Sequence, residues 1–443
     1  MKNKITIATI TGTAALSLAF CGTASAQSSD ALIDKLVEKG ILTVKEANDL
    51  REEADKGFNQ AYAVKSGMPE WVNSLKFNGD VRLRYDGLHI DDADTIDRHR
   101  FRYRLRFGVT ALLADNLEAG LRLISGNGDP ISGNATLEDN GSKKFIGIDL
   151  AYAKWSPINT PNWNAAFIGG KMENPFVFSD MVFDSDYTPE GFGSQIGYNF
   201  NERHSAKMNL GGFILDEASG HSRDPYLLGA QLRLESIWNP TWQSSFGVSG
   251  LMISGTENLL STTVPDSNKG NTRIDINPSP TAATFKLAET FNPVVVDGSV
   301  THNLESFPRY AGMFPIRFTV EYANNPAASD NNEAYAVGVT FGKSGKRGTW
   351  DLTYRYKYLE SDFWFEELVD SDSGAFYKAG VAQSAGATGY HPGTNVRGHY
   401  MRAAYSPYDS LTLAATYFLF DLIKGKTKDS QTGRLQVDAS LKF

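Results

Sequence analysis

The sequence predicts an all-β chain: a transmembrane antiparallel β-barrel of about sixteen strands, preceded by an export signal and a short periplasmic helical segment. Three observations carry this expectation. Residues 433–443 alternate strictly, with Leu435, Val437, Ala439, Leu441 and Phe443 on one face and Arg434, Gln436, Asp438, Ser440 and Lys442 on the other. That period of two marks a strand with one apolar and one polar face. Similar alternation recurs from Lys76 onward, and residues 1–26 have the form of a secretory signal peptide.

The signal begins with Lys2 and Lys4, continues with an apolar stretch from Ile5 to Phe20 and ends in Ala24-Ser25-Ala26, so cleavage is expected after Ala26. Cys21, the one cysteine of the chain, falls inside it, and Phe20 is a poor fit to the small residue a lipoprotein site needs. The mature chain is therefore expected to hold no disulfide. Loss of the two lysines takes the formal net charge from −8 to −10, and nucleic acid is not an expected partner. The best apolar run beyond the signal, residues 411–420, spans ten residues and carries polar positions. A membrane helix needs about 20 apolar residues, whereas a tilted barrel strand needs about 9–11. The 19 Tyr, 26 Phe and 41 Gly suit interfacial girdles, turns and curved strands.

The chain divides into the signal (1–26), a periplasmic helix-turn-helix and linker (27–75) and a barrel (76–443). Within 29–57, Leu32, Ile33, Leu36 and Val37 fall at helical spacing, Gly40 stops the first helix, and Thr43 with Glu46 form a capping-box pattern for a second. Such a short unit serves either as an assembly segment or as a spacer. In the barrel, Val81, Leu83 and Tyr85 alternate with Arg82 and Arg84, and Phe101, Tyr103, Leu105 and Phe107 with Arg100, Arg102, Arg104 and Arg106. A turn at 114–116 leads to Leu117, Ala119, Leu121 and Leu123. Further strands are expected near 145–155, 163–171, 191–200, 206–216, 226–238, 243–253, 313–323, 332–342, 348–359, 395–405, 410–420 and 433–443. Bacterial single-chain barrels close with an even number of strands. A sixteenth must therefore lie within 254–312, around Phe285–Leu287 or Val294–Val296; fourteen and eighteen are the other even counts. Short links such as 239–241 and 406–409 contrast with the long polar segments 126–144, 254–312 and 360–394. Short turns at one end and long loops at the other are expected of outer-membrane barrels.

Two features bear on function. Arg82, Arg84, Arg100, Arg102, Arg104, Arg106 and Arg122 share the polar parity of the first three strands, with Glu118, Asp80 and Asp86 as the acids found on that parity. Neighbouring strands lie about 4.8 Å apart, so these guanidiniums form a contiguous wall. Arginine facing lipid costs about 2–4 kcal/mol near the midplane, so the wall is expected to line a wet lumen. The second feature is 172–190, which holds Glu173, Asp180, Asp184, Asp186 and Glu190 among Phe176, Phe178 and Phe183. Aromatics in an acidic loop suggest a segment that folds against the barrel, its acids facing the arginines across a narrow constriction. An ordinary external loop is the plainer alternative.

These residues resemble the putative porin family of Gram-negative outer membranes and, more distantly, general and phosphate-selective porins. The likeness runs through residues 32–50, the basic strand 98–109, and 312–343, 348–362 and 393–406 to the terminal Phe443. It implies an outer-membrane β-barrel for passive diffusion of small hydrophilic solutes, commonly trimeric, constricted by the loop after the fifth strand. By strand count that loop is 172–190. The resemblance also implies lipid and lipopolysaccharide around the barrel, and Phe443 as the signal read by the barrel assembly machinery. The external loops lack the lysines of a dedicated phosphate channel, which leaves a mild general preference for anions; a phosphate- or oligosaccharide-specific channel is the alternative.

Other chemistries find little support. Gly342-Lys343-Ser344 lacks the upstream glycine of a phosphate loop, where Val337 stands. Asp91, Asp92, Asp94 and Asp97 lack calcium-loop spacing, His391 and His399 lack metal spacing, and no Gly-x-Ser-x-Gly occurs. No metal, cofactor or catalytic activity is expected. An outer-membrane hydrolase with Ser and His from distant strands, or an envelope tether using 29–57, are the remaining alternatives, and 27–75 is too small for a receptor plug.

Overall fold

A computed structural model describes residues 67, 69–91, 96–218, 220, 222–265, 269–277, 284–374, 377–379, 388–390, 393–424 and 430–443. The signal peptide, the 29–57 segment, Asp92, Asp94 and His391 lie outside the described residues. The chain divides into a unit ending at Asn73 and a unit running from Ser74 to Phe443.

Sixteen long strands form a closed antiparallel barrel. They are β1 (Val72–Ile90), β2 (Arg98–Leu113), β3 (Leu117–Gly126), β4 (Phe145–Asn159), β5 (Trp163–Lys171), β6 (Glu190–Asn199), β7 (His204–Ile214) and β8 (Tyr226–Ile237). The second half comprises β9 (Trp242–Ser254), β10 (Val294–Leu304), β11 (Phe314–Asn324), β12 (Glu333–Gly342), β13 (Thr349–Leu359), β14 (Val396–Tyr408), β15 (Leu411–Leu422) and β16 (Thr432–Lys442). Each strand pairs with the next, and β16 closes on β1 in a register that runs from Asp80 opposite Lys442 to Ile90 opposite Thr432. Closure leaves no strand edge, which is what permits a sheet to sit in hydrocarbon.

The sixteenth strand predicted within 254–312 is β10, at the valine run; Phe285–Leu287 instead belongs to a small hairpin, Arg273–Asn277 with Thr284–Leu287, inside the loop before it. A two-residue strand, Ala135–Thr136, adds to β2 at Arg102 and Tyr103, where β3 has already ended. It lets the 127–144 loop complete the wall and sets Asn134 and Ser132 against the lumen.

Alternation sets the two faces. On β8, Leu228, Leu232 and Leu234 are exposed outward while Gln231 and Arg233 are buried inward; on β16, Leu435, Val437 and Leu441 point out while Arg434 and Gln436 are buried. Near the short turns Trp163, Phe200, Trp238, Trp242 and Tyr408 stand exposed. Tyr322 and Tyr335 stand exposed toward the other strand ends, and exposed aromatics at strand ends suit the interfaces of a membrane barrel. Among the described residues no helix is long and apolar enough to cross a membrane.

The buried apolar cluster lies within the barrel, and much of it comes from loops. It joins Met172, Phe176, Met181, Phe183 and Tyr187 to Phe363, Trp364, Phe365, Leu368 and Val369, with Leu259 and Phe291 from the loop after β9. The long polar segment expected at 360–394 therefore contains, at 363–369, an apolar stretch packed inside the barrel.

Candidate pore constriction

The loop after the fifth strand leaves the wall at a neck that only glycine allows. Gly170 has φ +113°, and a Cβ there would sit 2.3 Å from the Ala151 carbonyl oxygen of β4. Met172 N–H donates to the Pro189 carbonyl at 2.9 Å and closes the neck. The loop then lies on the inner wall, where the Phe176 ring rests on Gly211 and Gly229; a Cβ at Gly229 would approach it to 2.5 Å. Phe176 stacks with Phe183, which stacks on Tyr187 and meets Trp364 edge-on.

Polar contacts pin the loop to four strands of the wall. On β8, Gln231 exchanges two hydrogen bonds with the Val177 backbone at 2.9 and 3.0 Å. On β11, Glu321 accepts from the Ser179 N–H and hydroxyl. On β13, Asp180 pairs with Arg355 at 2.7 Å and Lys357 at 2.9 Å. Asp186 then reaches β2, pairing with Arg104 at 2.8 Å and Arg106 at 2.7 Å. The loop thus crosses the lumen from β8 to β2.

A second loop meets it. After β13, Asp184 N–H donates to the Leu368 carbonyl at 2.8 Å and Asp370 N–H to the Asp180 carbonyl at 3.1 Å. Asp370 pairs with Lys357 at 2.9 Å, and Asp372 pairs with Arg434 at 3.0 Å and Arg84 at 3.4 Å. This segment is held in turn by the loop after β9. Glu366 accepts from Arg273 at 2.6 Å and from the Lys269 and Asn271 N–H groups at 2.8 and 2.9 Å, and both members of the ion pair are wholly buried. Nearby, Asp362 accepts from the Thr272 N–H and hydroxyl at 2.8 and 2.6 Å. Burial pushes its carboxyl up to about 6.

The sequence-predicted arginines all come to the inner face of β1–β3. Their partners differ from the expectation. Of the five loop acids only Asp186 and Glu173 touch this arginine wall, and its other partners come from the strands and from a second loop. Arg84 pairs with Asp438 at 2.7 Å, Arg100 with Asp86 at 2.7 Å, and Arg104 with Asp80 at 3.1 Å. Arg106 reaches Asp149 at 3.6 Å, and Arg122 pairs with Asp149 and Glu173. Asp149, Asp372 and Asp438 come from β4, the loop after β13, and β16, and no local pattern marks them as partners. Glu118 instead accepts from the Tyr152 hydroxyl at 2.7 Å. Arg82 and Arg102 have no carboxylate partner among the described residues.

The acids expected on the loop do not act alike. Asp180 and Asp186 tie it to opposite walls, while Asp184 caps its turn by accepting from Asp186 N–H at 2.8 Å. Glu173 remains largely exposed beside Arg122. Glu190 lies outside the constriction: it is the first residue of β6, exposed, and pairs with Lys171 at 3.0 Å. Phe443 pairs its backbone with Gly79 at 2.8 and 3.1 Å and lays its ring over that glycine.

What remains open at this level is a cavity of about 560 Å³ where Arg82, Arg104, Arg355 and Arg402 mingle with Asp180, Asp184, Asp186, Asp370, Asp372 and Asp438. Toward the short turns lies a separate space of about 830 Å³ lined by Asn162, Asn199, Glu235, Ser245 and Arg317. Sequence reasoning missed the contribution of 360–374. The run Phe363-Trp364-Phe365 in an otherwise polar segment was the available signal.

The family model described as putative porin matches residues 92–251. No curated protein matches the sequence. Among solved structures, Pseudomonas putida OprB at high pH is similar at 10% identity, covering 88% of this chain and 97% of that one, with a TM-score of 0.49. Salmonella typhi OmpF, solved with daunomycin, shares 10% identity over 83% of this chain and 97% of its own, TM-score 0.46. A loop-deletion mutant of Vibrio cholerae OmpT shares 12% identity over 84% and 99%, TM-score 0.45.

Proposed function

We infer that this chain, a member of the putative porin family by residues 92–251, carries small hydrophilic solutes passively through its lumen. It is an outer-membrane porin of a Gram-negative bacterium. The observation that carries the diffusion reading is the closed sixteen-strand barrel with a polar inner face, narrowed by 172–189 to a charged opening. A lumen lined by fixed charges and hydroxyls replaces part of a solute's hydration, while the narrowing sets its size limit. Nothing in this reading requires catalysis, and we regard the barrel as a non-enzymatic channel.

The finer assignments belong to the same proposal. Residues 172–189 act as the constriction. The arginines of β1 and β2 give a mild preference for anions, limited by the carboxylates that pair with most of them. The chain works as a homo-oligomer, a trimer, surrounded by lipid and lipopolysaccharide, and Phe443 serves the assembly machinery as an insertion signal. The 29–57 segment assists assembly from the periplasmic side.

The test is electrical. Purified, folded barrel added to a planar bilayer should give discrete, ohmic conductance steps, and a KCl gradient should give a reversal potential on the anion side. A folded barrel that inserts and stays silent overturns the channel reading. A cation preference that is the same in wild type and R102A/R104A overturns the selectivity assignment.

A further inference from the structure

Seven arginines face the lumen from β1–β3, and five of them hold carboxylates: Arg84, Arg100, Arg104, Arg106 and Arg122. Arg82 and Arg102 converge instead on one neutral residue. Arg82 Nη2 donates to the Asn134 side-chain oxygen at 2.7 Å, and Arg102 Nη2 to the Asn134 carbonyl at 3.4 Å. The Nε atoms of both are buried and have no hydrogen-bond partner. The same holds for Arg104 and Arg106, but of these four only Arg82 and Arg102 also lack a carboxylate on their terminal nitrogens among the described residues. Asn134 is itself buried, and its Nδ2 donates to Ser132 Oγ at 3.2 Å. Arg82, Ser132 and Asn134 all border the cavity of the constriction.

Both guanidiniums are partly buried, and each lies among other arginines, Arg84 and Arg104 around Arg82 and Arg100 and Arg434 around Arg102, so each lacks part of the solvation that a bound anion could replace. Elsewhere on this wall the same situation is resolved by a carboxylate from another strand or loop. Here the protein supplies an amide, a hydroxyl and open space. Guanidiniums present paired N–H donors whose spacing matches the oxygens of a carboxylate or phosphate.

We propose that Arg82, with Ser132 and Asn134 beside it at the cavity and Arg102 sharing Asn134 from the wall, binds the oxyanion group of a passing solute, a carboxylate or a phosphate. The five paired arginines hold loops and strands together, and this pair is where an anion pauses. The proposal rests on the channel reading and deepens it, by naming the group recognised and the residues that recognise it.

The experiment uses the full mature barrel and two probes, sodium acetate and inorganic phosphate. In planar bilayers, either probe added to a chloride solution should lower the chloride current saturably in the wild type. R82Q and R102Q should each weaken that effect at least fivefold. R106Q, which removes the same charge from a guanidinium already holding Asp186 and Asp149, should weaken it less than twofold. Isothermal titration of each probe into the detergent-solubilised barrel reads the same site without conductance. Saturable binding there with silent bilayers would sink the channel reading and leave the site standing. Response to phosphate alone identifies a phosphate site, response to acetate alone a carboxylate site, and response to both the shared oxyanion chemistry. The site is overturned if neither probe binds the wild type, or if R106Q loses as much affinity as R82Q. Because single variants are compared, failure of one to fold leaves the other to decide against R106Q.

Discussion

Replacing Glu366 by Gln should release the loop after β13 from the lumen. The carboxylate accepts from Arg273 Nε and Nη2 at 2.9 and 2.6 Å and from two backbone N–H groups, with both side chains at 0% exposure. Glutamine keeps the shape but removes the charge, so the Arg273 guanidinium is left buried beside a neutral amide. Breaking a buried pair from one side costs about 3–5 kcal/mol. If the docked and undocked loop exchange, that is roughly a 10²- to 10⁴-fold shift in their ratio. Asp370 and Asp372 follow 366 by a few residues and hold Lys357, Arg84 and Arg434 at the constriction, so undocking should also widen it. The readouts are protease cleavage within 360–395 on embedded protein and single-channel conductance, both of which should rise. A double replacement, R273M/E366M, removes both charges and should restore protection, since apolar substitutes for a buried pair are often neutral or stabilising. Wild-type cleavage and conductance in E366Q would refute the reasoning, as would a double variant no better protected than the single.

Two further outcomes follow from the same loops. The Asp362 carboxyl is raised by burial to about 6, so the folded loop takes up a proton that the free loop releases between about pH 4 and 6. Stability then falls as pH rises through 6: the 360–395 segment should resist protease better at pH 5 than at pH 7.5, and D362N should abolish that difference. At the loop neck, G170V forces a side chain into φ +113° and against the Ala151 carbonyl; a strained site of this kind costs about 1–3 kcal/mol. The barrel should lose its compact gel mobility at a lower temperature than wild type, and an unchanged temperature would show that the neck can open freely.

The period-two signal made fifteen strands legible because in a membrane barrel one parity must satisfy lipid and the other water. β10 was harder to place. Its outward positions are Val294, Val296, Gly298 and Val300, with a glycine breaking the apolar row, and it follows a loop that contains its own hairpin. The inward arginines were legible for the same reason as the strands. Their partners were not. Asp438 lies 354 residues from Arg84 along the chain and Asp186 82 residues from Arg104, and only closure of the barrel and infolding of the loop bring them together. The Phe363-Trp364-Phe365 run is apolar enough to announce burial, but its place against Phe183 and Phe291 depends on where a neighbouring loop lies.

The pairing changes what a row of arginines means. As a bare wall, seven guanidiniums would make a strongly anion-attracting lumen. With Asp86 shared by Arg100 and Arg434, Asp186 by Arg104 and Arg106, and Asp149 by Arg106 and Arg122, most of that field is cancelled within a few ångströms of its source. Each pair also fixes a strand or loop, so these charges set the shape of the opening before they act on a solute. Under the proposed oxyanion site, selectivity falls to the two arginines of this wall without a carboxylate among the described residues, Arg82 and Arg102. On that proposal a solute's charge is read where it passes Asn134, and its size where the two infolded loops meet.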